Sequence, residues 1–222
     1  MAHPDHALWK AGWRANRIPF HLTHVHPLLE RFWPQLGLPA TAPVFVPLCG
    51  KSLDIAWLHE QGHPVSGIEL SEVAVKALFE AAGRAPQRRA AGELTCWTQA
   101  GLDIYCGDFF ALTAEDLRGI RAVYDRAALT ALPENLRADY VAHLHAILPA
   151  DCQILLLTVE DLDADEAAAD NMQQSAEIAA LYALYFSLEL LHAELHETDG
   201  ERSIDKAYRL QRSHHPTTPW SA

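Results

Sequence analysis

The residues of this chain that could act on a small molecule fall at four places. They are a single-glycine turn at Leu48-Cys49-Gly50, a carboxylate at Glu69, a carboxylate backed by an aromatic ring at Asp108-Phe109, and a guanidinium at Arg126. Glu69 follows Gly50 by nineteen residues, close to the separation of about 20 at which an acidic side chain reaches the ribose hydroxyls of a bound nucleoside. Gly50-Lys51-Ser52 imitates the end of a phosphate-cradling loop, but that loop needs a glycine where Phe45 stands, so a triphosphate is disfavoured. The dinucleotide fingerprint needs three glycines, and Leu48, Cys49 and Lys51 surround only one, which leaves no bed for a pyrophosphate. What remains is a nucleoside without phosphates. On local grounds Asp108 either accepts a hydrogen bond from an adenine amino group, with Phe109 on the ring, or caps the turn after it. Asp125-Arg126 either projects from a strand end toward a ligand or forms a buried structural ion pair.

The elements that must position these groups alternate. Val44-Phe45-Val46 reads as a strand, Pro47 to Gly50 as a tight turn, and Leu53, Ala56 and Trp57 as the start of a helix. Val65 to Glu69 is a second strand, followed by a helix that Ser71-Glu72 caps and Ala74, Val75, Leu78 and Phe79 make amphipathic. Arg84 to Gly92 is basic and aperiodic and reads as a surface loop, while Leu94 to Thr98 and Leu102 to Tyr105 form a hairpin. Ile120 to Tyr124 is a strand, and Pro133 opens a helix along Leu136, Tyr140, Leu144 and Ile147. Ile154 to Val159 is apolar throughout, as a strand buried on both faces must be. Leu188 to Leu195 and Ser203 to Leu210 close the sheet, and Ser213 to Ala222 is a polar tail. Alternating strands and helices call for a doubly wound α/β sheet. At the start, Leu8, Trp9, Trp13 and Ile18 share one face of a helix.

The chain has 222 residues, which suits one domain. Its net charge is -12, and no Lys or Arg occurs between Arg137 and Arg202, which argues against a nucleic-acid surface. No run approaches the roughly 18 apolar residues of a membrane span, and the start lacks a signal-peptide pattern, so a cytoplasmic protein is the expectation. Without heptads or a long apolar edge, a monomer is expected. Cys49, Cys96, Cys106 and Cys152 contain no CxxC pair and read as buried thiols. His21, His24 and His26 would not converge if a helix opens at His24 and runs to Leu36, and HAELH at 192–196 is not a zinc motif, so no metal is expected.

Taken in order, Trp9 and Trp13 with Phe20-His21, PLCGKSLD at 47–54, GIELSE at 67–72, YCGDFF at 105–110 and YDRAAL at 124–129 resemble the thiopurine S-methyltransferase family. The resemblance covers about two thirds of the chain, from Trp9 to about Leu148. It implies a class I methyltransferase dependent on S-adenosylmethionine. The implied fold is a doubly wound, mostly parallel, seven-stranded α/β sheet, Rossmann-like, over residues 41–212, with an N-terminal helical lid over 1–40. It also implies roles. Leu48 and Gly50 lie beside the methionine part of the cofactor, Glu69 on ribose, Asp108 and Phe109 on adenine, and Trp9 across the cofactor. Phe20 packs on the acceptor, and Arg126, the catalytic group, faces the acceptor sulfur within reach of the cofactor. After Val159 the pattern breaks: members usually carry a Gly-Pro-Pro-Phe loop there, and this chain has the acidic VEDLDADEAAADNMQQSAEIAALY.

The implied reaction is displacement at a methyl carbon, in which alignment supplies much of the acceleration. An already ionised thiol needs no general base, which agrees with the lack of a Ser-His-Asp or paired-carboxylate arrangement. The implied acceptor is a small aromatic or heterocyclic thiol, or a related selenium or tellurium anion. Two other readings stand beside it: the same fold with a halide, an aliphatic thiol or a biosynthetic intermediate as acceptor, and a non-catalytic protein that senses S-adenosylmethionine.

Overall fold

The computed structural model describes residues 5–83, 85–161, 178, 180–198 and 201–213. Strands β1 (Val44–Val46), β2 (Val65–Glu69), β3 (Gln87–Ala91), β4 (Leu94–Gln99), β5 (Leu102–Cys106), β6 (Ala122–Arg126), β7 (Gln153–Asp161), β8 (Phe186–Thr198) and β9 (Glu201–Arg212) form one sheet. Their order is β3-β4-β5-β2-β1-β6-β7-β9-β8. The five strands from β5 to β7 are parallel, and the flanking pairs are antiparallel. The expected seven strands are those from β5 to β8 in that order. Two more, β3 and β4, extend the sheet at its other side. Residues 87–91, expected in a loop, form edge strand β3, and its Gln-Arg-Arg-Ala-Ala carries no apolar alternation because its first four residues are exposed and only Ala91 is partly buried. Arg88 instead lays its guanidinium over the Trp97 ring at 3.6 Å.

Helices α1 (Asp5–Arg14), α2 (Pro27–Phe32), α3 (Leu53–Glu60), α4 (Glu72–Ala81), α5 (Ala128–Ala131) and α6 (Glu134–Ile147) join the strands. The helix expected from His24 to Leu36 is shorter. His26 caps it by accepting the Leu28 N–H, Pro27 takes the first position, and Pro34, lacking an N–H, turns the continuation into the 3-10 turn Trp33–Leu36. Ser71 stands at the α4 N-cap without the expected side-chain bond, while the expected apolar face, Ala74, Val75, Leu78 and Phe79, is buried. On α1, Trp13 is buried but Leu8 is 71% exposed and does not share its face. Residues 162–177, in the segment that replaces the Gly-Pro-Pro-Phe loop, and the tail beyond Ser213 lie outside the described residues.

A core packs on each face of the sheet. Alternation along β6 assigns neighbouring residues to opposite sides: Val123 joins the core with α6, while Ala122 and Tyr124 join the core with α2, α3 and α4. Asp125 follows Val123 and meets Tyr140 and Tyr182; Arg126 follows Tyr124 and meets Asp54 of α3. The structural ion pair between Asp125 and Arg126 therefore does not form. No helix among the described residues is long and apolar enough to cross a membrane.

Candidate functional site

Trp9, Phe20, Leu48, Gly50, Glu69, Asp108, Phe109 and Arg126 all line one cavity of about 550 Å³. It opens where parallel strands β1, β2, β5 and β6 end, the usual ligand crevice of an open α/β sheet, and its size is ordinary for a small-molecule site, about 300–1,000 Å³.

The turn after β1 is fixed by its main chain. Leu48 (φ 43°) and Gly50 (φ 55°) are both left-handed. For leucine that conformation costs roughly 1–2 kcal/mol and persists only where the surroundings hold it. The surroundings here are the Ile68 carbonyl, which accepts the Cys49 N–H at 2.9 Å, and Glu69, whose Oε2 accepts the Gly50 N–H at 2.9 Å. Glu69 Oε1 accepts the Ser71 N–H at 2.7 Å. A carboxylate has about four acceptor positions, so each oxygen retains capacity for a hydroxyl donor. Burial pushes the Glu69 carboxyl up to about 7, against the Ser71, Gly50 and Leu70 amides, which favour the charge. Cys49 is buried, and burial together with Glu69 raises its thiol well above the ordinary value, so it is not a nucleophile.

Aromatic side chains roof this turn. A Cβ on Gly50 would lie 3.1 Å from the Trp13 ring, and Phe20 meets Trp9 and Trp13 edge-on at 5.6 and 5.8 Å between centroids. Across the cavity Asp108 fulfils its capping reading with one oxygen: Oδ1 accepts the Phe110 N–H at 3.0 Å and starts a 3-10 turn at Phe109–Ala111. Its Oδ2 lies 3.7 Å from His6 Nε2 of α1. The Phe109 ring is buried 4.7 Å from that of Tyr140.

Arg126, at the end of β6, pairs through Nε with Asp54 Oδ2 at 3.4 Å. Asp54 is 1% exposed; its Oδ2 also accepts the Tyr124 hydroxyl at 2.9 Å, and its Oδ1 accepts the His26 N–H at 2.8 Å. Burial, then Asp54, raises the Tyr124 phenol well above its ordinary range, so it stays a donor. Ala127, next in the chain, is left-handed (φ 61°) and turns the backbone into α5. Asp54 and Tyr124 line the cavity, and the sequence reading assigned neither. An acid in the first turn of a helix needs no explanation beyond the helix dipole, and only a contact between residues 70 apart separates the two uses of Asp54. His21 also lines the cavity, its pKa lowered by burial, Lys51 and Arg126.

Asp125 belongs to the core. Tyr140 and Tyr182 both donate to its Oδ2 at 2.8 Å, while Oδ1 has no hydrogen-bond partner among the described residues. Burial raises its pKa against those two bonds and the nearby Ala128 amide. Among the described residues no group of three or more His, Cys, Asp or Glu is placed to hold a metal.

The family model described as Thiopurine S-methyltransferase (TPMT) matches residues 4–214. The chain is 44% identical over 216 residues to a thiopurine S-methyltransferase of Stutzerimonas stutzeri (strain A1501), covering 95% of this chain and 92% of that protein. It is 43% identical over 210 residues to another of Pseudomonas fluorescens (strain SBW25), covering 91% and 96%. The Burkholderia thailandensis 1,6-didemethyltoxoflavin-N1-methyltransferase, solved with 1,6-didemethyltoxoflavin and S-adenosylhomocysteine, superposes with a TM-score of 0.59 at 16% identity, over 95% of this chain and 92% of that one. At that identity the likeness speaks for the fold.

Proposed function

Since the chain belongs to the thiopurine S-methyltransferase family, with S-adenosylmethionine as its methyl donor, we propose that it methylates the sulfur of a small aromatic or heterocyclic thiol. Selenium and tellurium anions of similar size fall within the same proposal. The observation that carries it is the convergence of all eight candidate residues on one roofed cavity at the strand ends.

The residues fit the donor. Glu69 would accept the ribose hydroxyls with the capacity its two N–H bonds leave, and Leu48 and Gly50 give the methionine part close access to the backbone. Asp108 Oδ2 would take the adenine amino group, Phe109 the ring, and Trp9 would cover the site. When bound, the donor supplies a methyl carbon on a positively charged sulfur, open to displacement. Arg126, through its guanidinium charge, would favour and orient the acceptor as its thiolate, with Phe20 against its ring. Trp9, Trp13 and Phe20 exclude water that would otherwise solvate the sulfur. Tyr124 keeps its proton on Asp54, so no base is required of it.

Calorimetry with S-adenosylmethionine, followed by methyl-transfer assays, tests the reading. Micromolar binding and turnover of aryl and heteroaryl thiols are expected. Binding with turnover confined to a halide or an aliphatic thiol would instead favour the changed acceptor that the departure after Val159 motivates, and binding without turnover would favour a sensor. A cytoplasmic monomer completes the proposal; light scattering checks its size.

A further inference from the structure

We propose that Asp54 is a positioning residue for methyl transfer, a role that rests on the reading of Arg126 as the group facing the acceptor. Asp54 sits on the first turn of α3, directly after the turn that carries Leu48 and Gly50, and it reaches across to the end of β6. One carboxylate therefore joins the cofactor turn to the acceptor guanidinium. Its Oδ2 forms an ion pair with Arg126 Nε at 3.4 Å and accepts the Tyr124 hydroxyl, and its Oδ1 accepts the His26 N–H at the start of α2. Among the described residues Asp54 is the one ion-pair partner of Arg126, and the Tyr124 hydroxyl also lies against the guanidinium, so Asp54 and Tyr124 together set how its remaining N–H groups face the cavity. A guanidinium is a planar fork, and holding its Nε edge fixes the plane in which the Nη groups point. The left-handed Ala127 behind it keeps the main chain from absorbing a change of direction.

Charge and position make opposite predictions here. As a charge alone, Asp54 repels an incoming thiolate and partly neutralises Arg126, so Asp54→Asn would tighten thiolate binding. As a positioner, Asp54 keeps the sulfur in line with the methyl group, and a misplacement of about 1 Å costs on the order of 100-fold in rate. Asp54→Asn is therefore expected to lower kcat by roughly 10- to 100-fold. The affinity of 4-nitrobenzenethiolate, followed by its absorbance in the presence of S-adenosylhomocysteine, should stay unchanged or increase, and cofactor affinity should stay within about twofold. Tyr124→Phe, which removes one bond to the same oxygen, should lower kcat in the same sense by about threefold, in keeping with the net worth of one hydrogen bond.

The decisive cycle places Asp54→Asn in an Arg126→Ala background, where it should cost almost nothing further. A kcat within twofold of wild type, or an equal loss in both backgrounds, would overturn the proposal. A second readout is independent of turnover: hydrogen exchange of the Arg126 Nε–H, followed by NMR, should be slow in the native enzyme and fast in Asp54→Asn. Unchanged exchange would also overturn it. If no thiol is methylated by the wild-type enzyme, the reading of the reaction fails, while the exchange measurement still decides whether Asp54 holds the guanidinium.

Discussion

The end of the cavity proposed to hold the donor is made by the main chain, through left-handed turns at Leu48 and Gly50 and amides that close on Glu69, whereas the end proposed for the acceptor is assembled from side chains of distant segments, Phe20, Asp54, Tyr124 and Arg126. Shifting the first end means refolding a turn. The second can change by substitution while the sheet stays intact. A cofactor shared by many reactions and an acceptor particular to one are thus served by structures of matching adaptability.

The contrast is broken most directly at Glu69. Glu69→Ala leaves two buried N–H groups unpaired, each worth about 1–3 kcal/mol. Donor affinity, measured by calorimetry, should fall roughly 100-fold or more while the ranking of thiols is preserved. Arg126→Lys keeps the charge and loses the planar fork; kcat/KM should drop about 10- to 100-fold with donor affinity within about twofold, the mirror image of the first result.

The pH dependence sharpens the same division. Because the free protein holds the Glu69 carboxyl at about 7 and ribose hydroxyls donate to the ionised form, donor affinity should fall below that pH by up to about tenfold per unit and level off above it. For folding the sign is opposite. A raised carboxyl pKa means the native state keeps a proton that the unfolded chain releases. Its stabilising contribution is full below the ordinary value of 4.5 and lost as pH rises to about 7. Denaturant titrations of Glu69→Gln should lose that slope. Gly50→Ala, with its Cβ 3.1 Å from the Trp13 ring and a left-handed φ, should weaken donor binding by a few-fold and alter indole fluorescence. The smallest effect is expected away from the cavity: Tyr182→Phe removes one bond to Asp125 and should cost about 1 kcal/mol in thermal unfolding, with kinetics unchanged.

The same division governs what the sequence could reveal. Strand β1, the turn at Gly50 and the delayed Glu69 are readable because their chemistry is tied to position along the chain. Edge strand β3 escaped because its exposed residues carry no apolar alternation. Asp54 escaped for a different reason: its partners, Arg126 and Tyr124, are near only in space. Asp125 and Arg126 look like an ion pair when written side by side, and the pleat of β6 sends them to opposite faces. At Asp108 the capping alternative is met by Oδ1, and Oδ2 lies beside His6 at the cavity.

The indole of Trp13 resting on Gly50 has a kinetic corollary. If the methionine part of the donor lies against Gly50 as proposed, its roof belongs to α1, and exchange of spent for fresh donor requires that arm to swing away. On that reading the movement, and not the chemical event, is expected to set the pace of turnover. The enzyme should then slow in proportion to solvent viscosity, and shortening the arm before Trp13 should trade tightness of hold for speed of exchange.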